Sequence, residues 1–405
     1  MELHPILSAM RRNKVGALVI VAQTAITLAI LCNSLFIIQQ RLRLSDRPTG
    51  LQEQDIFTIT NQWVGNPPDL AARTRADLAA LRSLPEVVDA FVSNSYPLSP
   101  GGWWDDAIML EASDAHWVAT GALYFADEHA LATLGLKLIS GRNFDAAEIA
   151  DRNDMDAKTP GAVIVSRALA MKIFPNGDAL GRSIYLSTYK QKVPIIGIVE
   201  RLQQPNISST NLRVEDAMLQ PFRYIETYAH YVVRAKPGQL AAAMQSAQKQ
   251  LLTLNRARIN DKTRTMLESR RRAYRDDRGL AIILATVSAV LLIITAFGII
   301  GVTSFWVSQR RRQIGIRRAM GATRTAILRY FQTENLMIAS AGAALGILLA
   351  LTLNFWMAGR FEMARLNVAS TIIAAGIVLL LGQVAVLWPA LRAAAISPVV
   401  AIRNA

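Results

Sequence analysis

Seven arginines, Arg310, Arg311, Arg312, Arg317, Arg318, Arg324 and Arg329, stand between Ser308 and Glu334, with Glu334 as the only acid. Guanidinium groups in such a run pair with anions and fix orientation at a membrane surface; they do not by themselves cleave or transfer anything. The side chains that would do covalent chemistry are missing or scattered. The chain contains no Gly-Lys pair, so it has no phosphate-cradling loop of the G-x-x-x-x-G-K-[ST] type. His4, His116, His129 and His230 show neither an HExxH motif nor a helical ligand pair, and they read as ordinary core or surface residues. There is no G-x-S-x-G elbow. Cys32, the single cysteine, permits no intrachain disulfide and no cysteine metal site. We therefore expect no catalytic, cofactor or metal site, and no enzyme activity in this chain.

The arginine run is framed by two uncharged stretches, Gly279–Val307 and Asn335–Ala358. Val15–Ile38 and Leu366–Leu391 are uncharged as well. Each exceeds the roughly 20 helical residues that cross a bilayer, which predicts four spans. The first run is too long for the apolar part of a cleaved signal, and Gln39-Gln-Arg-Leu-Arg43 follows it where a small-residue cleavage site would stand. Fourteen basic and three acidic residues lie outside 41–278, so most of the net charge of +14 sits beside the spans. Charge so placed follows the positive-inside rule and puts the termini and the 308–334 loop in the cytoplasm. A folded domain with a basic face is not indicated, which argues against nucleic-acid binding. Residues 41–278 then lie outside the cytoplasm.

Within the loop, Ile314-Gly-Ile-Arg-Arg-Ala-Met320 suggests a short amphipathic helix. Gly321 suits the left-handed position past its end, and Thr323 suits the cap of the next helix. The whole stretch, RRRQIGIRRAMGATRTAILRYFQTENL, resembles the loop between the second and third spans of MacB/FtsX-like ABC transporter permeases. There an R-x-x-E-I-G-I-R-R-A-x-G-A sequence forms the coupling helix seated on the ATPase. Gln313 stands where that family often has Glu.

Upstream, Asp55–Thr60 alternates like a strand, Asp69–Leu84 patterns as a helix ended by Pro85, and Val87–Val92 is again strand-like. From about 103 to 202 short strands and turns take over. LISGRNFDAAE, AVIVSRALAMKIFPNGDALGRSI and VPIIGIVE resemble, in that order, the MacB-type periplasmic domain. Tyr228–Arg234 reads as a strand, Gly238–Leu254 as a helix, and Thr263–Arg278 as helix-compatible. The tail Pro389-Ala-Leu-Arg-Ala-Ala-Ala-Ile-Ser-Pro398-Val-Val-Ala-Ile-Arg403 resembles the family's ending.

The resemblance implies an α-helical integral membrane protein with four transmembrane helices and an α+β extracytoplasmic domain, a porter-like β-α-β layer with an inserted, mostly β subdomain. The expected organisation is a cytoplasmic amphipathic helix at 1–14, span 1 and stalk at 15–44, and a periplasmic domain at 45–262. A stalk and span 2 follow at 263–307, then the coupling helix and elbow at 308–334, spans at 335–358 and 366–391, and a cytoplasmic tail at 392–405. The coupling residues would be Arg312, Ile314, Gly315, Ile316, Arg317, Arg318, Met320, Gly321 and Thr323. Gly342-Ala-Ala-Leu-Gly346 is a GxxxG candidate for close helix packing. Gln23, Asn33, Asn354 and Gln383 should face other helices. Trp103 and Trp104, between glycines and aspartates, are a candidate periplasmic contact.

The implied partners are a separate ATPase subunit, a second permease, the same or a paralogue, membrane lipid, and a periplasmic adaptor with an outer-membrane channel. The implied place is a bacterial inner membrane. Two outputs fit the resemblance. One is export of a peptide, antibiotic or lipid-linked substrate; the other is FtsX-like regulation of a cell-wall hydrolase or signalling partner without cargo.

Overall fold

The computed structural model describes residues 14–99, 104–112, 116–189, 191–207, 213–361 and 366–395. The helix expected over 1–14 and most of the tail therefore fall outside the described residues. Two compact units divide the chain: 46–276 forms one, and the flanking segments 1–45 and 277–405 form the other.

The strands of the 46–276 unit are β1 (Ile56–Trp63), β2 (Val87–Ser93), β3 (Asp105–Met109), β4 (Ala119–Phe125), β5 (Leu138–Gly141), β6 (Ala150–Arg152) and β7 (Val163–Ser166). They continue with β8 (Ser183–Leu186), β9 (Lys192–Val199), β10 (Ala217–Gln220), β11 (Phe222–Tyr224), β12 (Tyr228–Ala235) and β13 (Arg258–Thr265). The helices in chain order are α1 (Lys14–Ser45), α2 (Leu70–Arg82), α3 (Ala130–Leu134), α4 (Arg167–Ile173), α5 (Leu240–Leu254), α6 (Met266–Ala273), α7 (Arg275–Gln309), α8 (Arg311–Ala319), α9 (Arg324–Phe361) and α10 (Val368–Ala394).

Two β-α-β pieces far apart in sequence, β1-α2-β2 and β12-α5-β13, share one antiparallel sheet in the order β13-β1-β12-β2. Their helices bury Leu78 and Leu81 of α2 and Ala243, Ala247 and Leu251 of α5 in a common core. Inside it Arg258 donates to both oxygens of Asp77, at 2.7 and 2.9 Å, and lies over the Trp63 ring at 4.1 Å. The Tyr231 hydroxyl donates to the same carboxylate at 2.7 Å. A second sheet runs β5-β9-β7-β10-β4-β3-β8, and β8 pairs back onto β9, so its strands close into a small barrel. Closure pairs each strand from β9 round to β8 on both sides, and β5 lies against β9 alone at the margin. At the β5 turn Gly141 has φ 81°, and a Cβ there would meet the Ile196 carbonyl oxygen at 2.1 Å, which explains the glycine of its Gly-Arg pair.

The helix-compatible reading of Thr263–Arg278 needs correction at its start: Thr263–Thr265 finish β13. Its sequence, RINDKTRT, is strongly polar because β13 is an edge strand, where one row of side chains and backbone groups faces water. Thr265 then caps α6, accepting from the Glu268 N–H at 3.1 Å, while Glu268 accepts from the Thr265 N–H at 3.0 Å.

In the other unit α1, α7, α9 and α10 are long and apolar enough to cross a membrane. α9 packs along α1 and α10. The GxxxG of α9 faces α1: a Cβ on Gly342 would lie 2.8 Å from Thr24 Cβ, and one on Gly346 2.8 Å from the Ala25 carbonyl oxygen. α7 runs antiparallel to α1, joined at one end by an ion pair of Arg41 with Asp277 and midway by Thr27 and Thr295, whose hydroxyls are 2.8 Å apart. Gln23 Nε2 donates to the Ile294 carbonyl at 3.0 Å. At the far end the Trp306 ring covers Gly16.

Candidate functional site

The site is the segment from Arg310 to Glu334, built from α8, the turn after it, and the first turns of α9. α8 holds two faces apart. Ile314 and Gly315 are buried, Ile314 in a cluster with Trp306, Ile327, Phe331 and Ala390. Arg312, Ile316 and Met320, spaced four apart on one stripe, are exposed, Met320 to 75%. A short helix is thus anchored by one side and offers apolar side chains among arginines on the other.

The helix end follows from local chemistry. Gly321 takes φ 95°, its N–H donates to the Arg318 carbonyl at 3.1 Å, and the Ala322 N–H donates to the Arg317 carbonyl at 3.0 Å. This two-bond closure of a helix on a left-handed glycine satisfies carbonyls that the ended helix leaves bare. Thr323 Oγ1 then accepts from the Ala326 N–H at 3.2 Å and starts α9. The turn between the helices is therefore defined by three consecutive bonds.

Three arginines fasten the segment. Arg318 Nη1 donates to the Ala394 carbonyl at 2.7 Å, among the last bare carbonyls of α10. Arg317 lies over the Tyr330 ring at 5.2 Å. Arg310 pairs with Glu334, which is almost wholly buried. Sequence reasoning passed over this pair, although its signal was present in the isolation of one acid among seven arginines.

The other expected residues lie elsewhere. Gly342 and Gly346 sit at the α1 contact described above. Of the polar residues in the spans, Gln23 reaches α7, Asn354 Oδ1 accepts from the Leu366 N–H at 2.9 Å, and Asn33 Nδ2 donates to the Ala29 carbonyl of its own helix at 2.9 Å. Trp104 is half-buried and meets Phe125 edge-on at 5.7 Å, and Trp103 lies outside the described residues.

Family models match both units. The MacB-like periplasmic core domain covers residues 25–251, more than half of the chain, and the FtsX-like permease C-terminal domain covers 285–398. The chain belongs to the MacB/FtsX-like permease family. Among its relatives, the macrolide export ATP-binding/permease protein MacB of Chromobacterium violaceum is 25% identical over 66% of this chain and 41% of that protein. MacB of Campylobacter jejuni subsp. jejuni serotype O:23/36 is 26% identical over 72% of this chain and 47% of that protein. The chain thus spans less than half the length of these relatives. The crystal structure of the periplasmic region of MacB from Actinobacillus actinomycetemcomitans is 16% identical and covers 54% of this chain and 92% of that one, at a TM-score of 0.34. As an ABC transporter permease of the MacB/FtsX-like family, the chain combines four apolar helices with an α+β extracytoplasmic domain, an arrangement that fits an inner-membrane protein.

Proposed function

We propose that this MacB/FtsX-like chain is the permease subunit of an export machine, passing the ATP-driven movement of a separate ATPase subunit to its extracytoplasmic domain. The observation that carries the reading is the exposed stripe of Arg312, Ile316 and Met320 on α8, a helix whose other face is locked into the membrane bundle. Apolar side chains ringed by arginines are suited to a protein groove with an acidic rim. The 405 residues hold no phosphate-cradling loop, so nucleotide would be hydrolysed outside them.

Movement of α8 would reach α7 through Arg310 and α10 through Arg318. α7 would carry it along α1 by the Thr27–Thr295 and Arg41–Asp277 ties. A second permease would complete the machine, with the loop and termini in the cytoplasm and the α+β domain in the periplasm. The relatives' name, macrolide export, supports export as output and an antibiotic as cargo. A peptide or lipid-linked cargo, and delivery to a periplasmic adaptor and outer-membrane channel, would follow from the family resemblance alone.

The test is purification of the tagged full chain from membranes, followed by identification of bound proteins. We expect an ATPase with a periplasmic adaptor, and loss of the ATPase when Ile316 and Met320 are both changed to Asp. A wall hydrolase in place of the adaptor would favour the regulatory output, and absence of any ATPase would overturn the reading.

A further inference from the structure

A cleft of about 240 Å³ opens beside the α8 anchor, between the end of α7 and the end of α10, lined by Ser304, Val307, Ser308, Arg311, Pro389 and Arg392. The volume holds several water molecules, enough for a small polar group. Pro389 and Val307 are buried and form an apolar floor, while Arg311 and Arg392 are exposed at the rim. Neither arginine has a carboxylate partner among the described residues, and Glu334, the only acid of the hinge, is taken by Arg310. The Ser304 and Ser308 hydroxyls also lack hydrogen-bond partners among the described residues. Two guanidinium groups and two hydroxyls thus line one cleft with no carboxylate beside them among the described residues.

The depth of the cleft follows from its neighbours. Arg392 lies over the Trp388 ring at 3.9 Å, and Trp388 is half exposed. Tryptophan with a cation at the end of an apolar span marks the level of lipid headgroups. Phe305 and Leu391, beside the cleft, are large exposed apolar residues continuing the outer faces of α7 and α10. A basic pocket at the ends of two spans, bordered by outward apolar faces, matches the chemistry of an anionic lipid: phosphate at the rim and acyl chains along the helices.

We propose that this cleft binds the phosphate group of an anionic membrane phospholipid, held by Arg311 and Arg392 with Ser304 and Ser308. Such a lipid would bridge α7 to α10 at the end from which α8 departs. The inference needs the membrane spans and is independent of how α8 couples to an ATPase.

The experiment is native mass spectrometry of the full chain in detergent, incubated in separate arms with phosphatidylglycerol, phosphatidylcholine and inorganic phosphate. Phosphatidylglycerol should stay bound, and neither phosphatidylcholine nor millimolar phosphate should replace it. Each of Arg311→Gln and Arg392→Gln should lower its occupancy about fivefold, and the pair roughly twenty-five-fold. Arg324→Gln with Arg329→Gln, an equal loss of charge on exposed positions of α9, should leave it unchanged. Both cleft arginines are exposed, and the single variants supply the reading if the pair fails to fold. Equal losses in both pairs would reduce the effect to diffuse charge and overturn the site. Displacement by inorganic phosphate would make it a free-anion site and overturn the lipid. Retained lipid with lost ATPase in the cleft variants would assign the arginines to the protein partner and overturn the proposal too.

Discussion

Arg310 Nη1 lies 3.1 and 3.0 Å from the two carboxylate oxygens of Glu334, joining the junction of α7 and α8 to the first turns of α9. The carboxylate is nearly inaccessible, and the guanidinium also lies 5.8 Å from the Trp306 ring centre. Removing one charge from such a pair leaves the other buried and unpaired, which costs roughly 3–5 kcal/mol. Glu334→Gln should therefore lower the unfolding midpoint of the detergent-purified protein. The double variant Arg310→Met/Glu334→Gln should lose less than the sum of the two single changes. Additive losses would show that the pair is not coupled.

The contact of α9 with α1 depends on hydrogen at two Cα positions. Alanine at Gly346 would press its methyl against the Ala25 carbonyl oxygen at 2.8 Å, between two helix backbones that cannot yield locally. Overpacking of this kind costs about 1–3 kcal/mol. Gly301→Ala, on α7 with nothing within 4 Å, is the matched control and should be tolerated. Folded yield and thermal midpoint of the two variants decide the matter; similar behaviour would exclude close packing at Gly346.

Gly321 is open in space but restricted in backbone. At φ 95° no neighbouring atom lies within 4 Å of an added Cβ, so Gly321→Val acts only through its torsion, at about 1–2 kcal/mol. The spans should assemble normally while the angle between α8 and α9 shifts. ATP hydrolysis in the reconstituted complex should then proceed with export reduced. Unchanged export per ATP would show that the elbow does not set the coupling geometry.

His230 gives the extracytoplasmic domain an acid-sensitive step. Burial, with a smaller contribution from Lys262, holds its imidazole down at about 4, against 6.5 for a free side chain. Between those values the unfolded chain takes up a proton that the folded chain does not, so stability falls as pH drops from 6.5 to 4 and levels off below. The full difference is about 3 kcal/mol. Unfolding of the full chain followed across that window should show the slope, and His230→Gln should flatten it. An identical slope in the variant would place the acid sensitivity elsewhere.

Much of this was legible before any coordinates. Uncharged runs longer than a bilayer must be helical, because no water is present to satisfy backbone groups there. Each run falls within one of the four long helices or within two residues of it, while α1 continues past its run to Ser45 and α9 starts well before its run, at Arg324. Gly321 and Thr323 announced a helix end and a new start because each fulfils a local backbone requirement. The strand at Arg258–Thr265 was not legible, since an edge strand carries no apolar alternation and its place is set by pairing with β1.

By itself, then, the sequence determined the spans, the turn after α8 and the absence of a nucleotide loop, all properties of short segments answering to solvent or to their own backbone. Tertiary structure decided the rest. Arg310 met Glu334, Thr27 met Thr295 across 268 positions, and Arg311 met Arg392 around one cleft, because helix packing chooses partners by shape over distances on which local pattern carries no information. It also decided that β8, already paired with its chain neighbour β9, meets the distant strand β3 through Ile108 with Leu186 and Met109 with Tyr185, and so closes the barrel. A pairing between remote strands lowers the free energy only once both are in place, so neither strand encodes it alone.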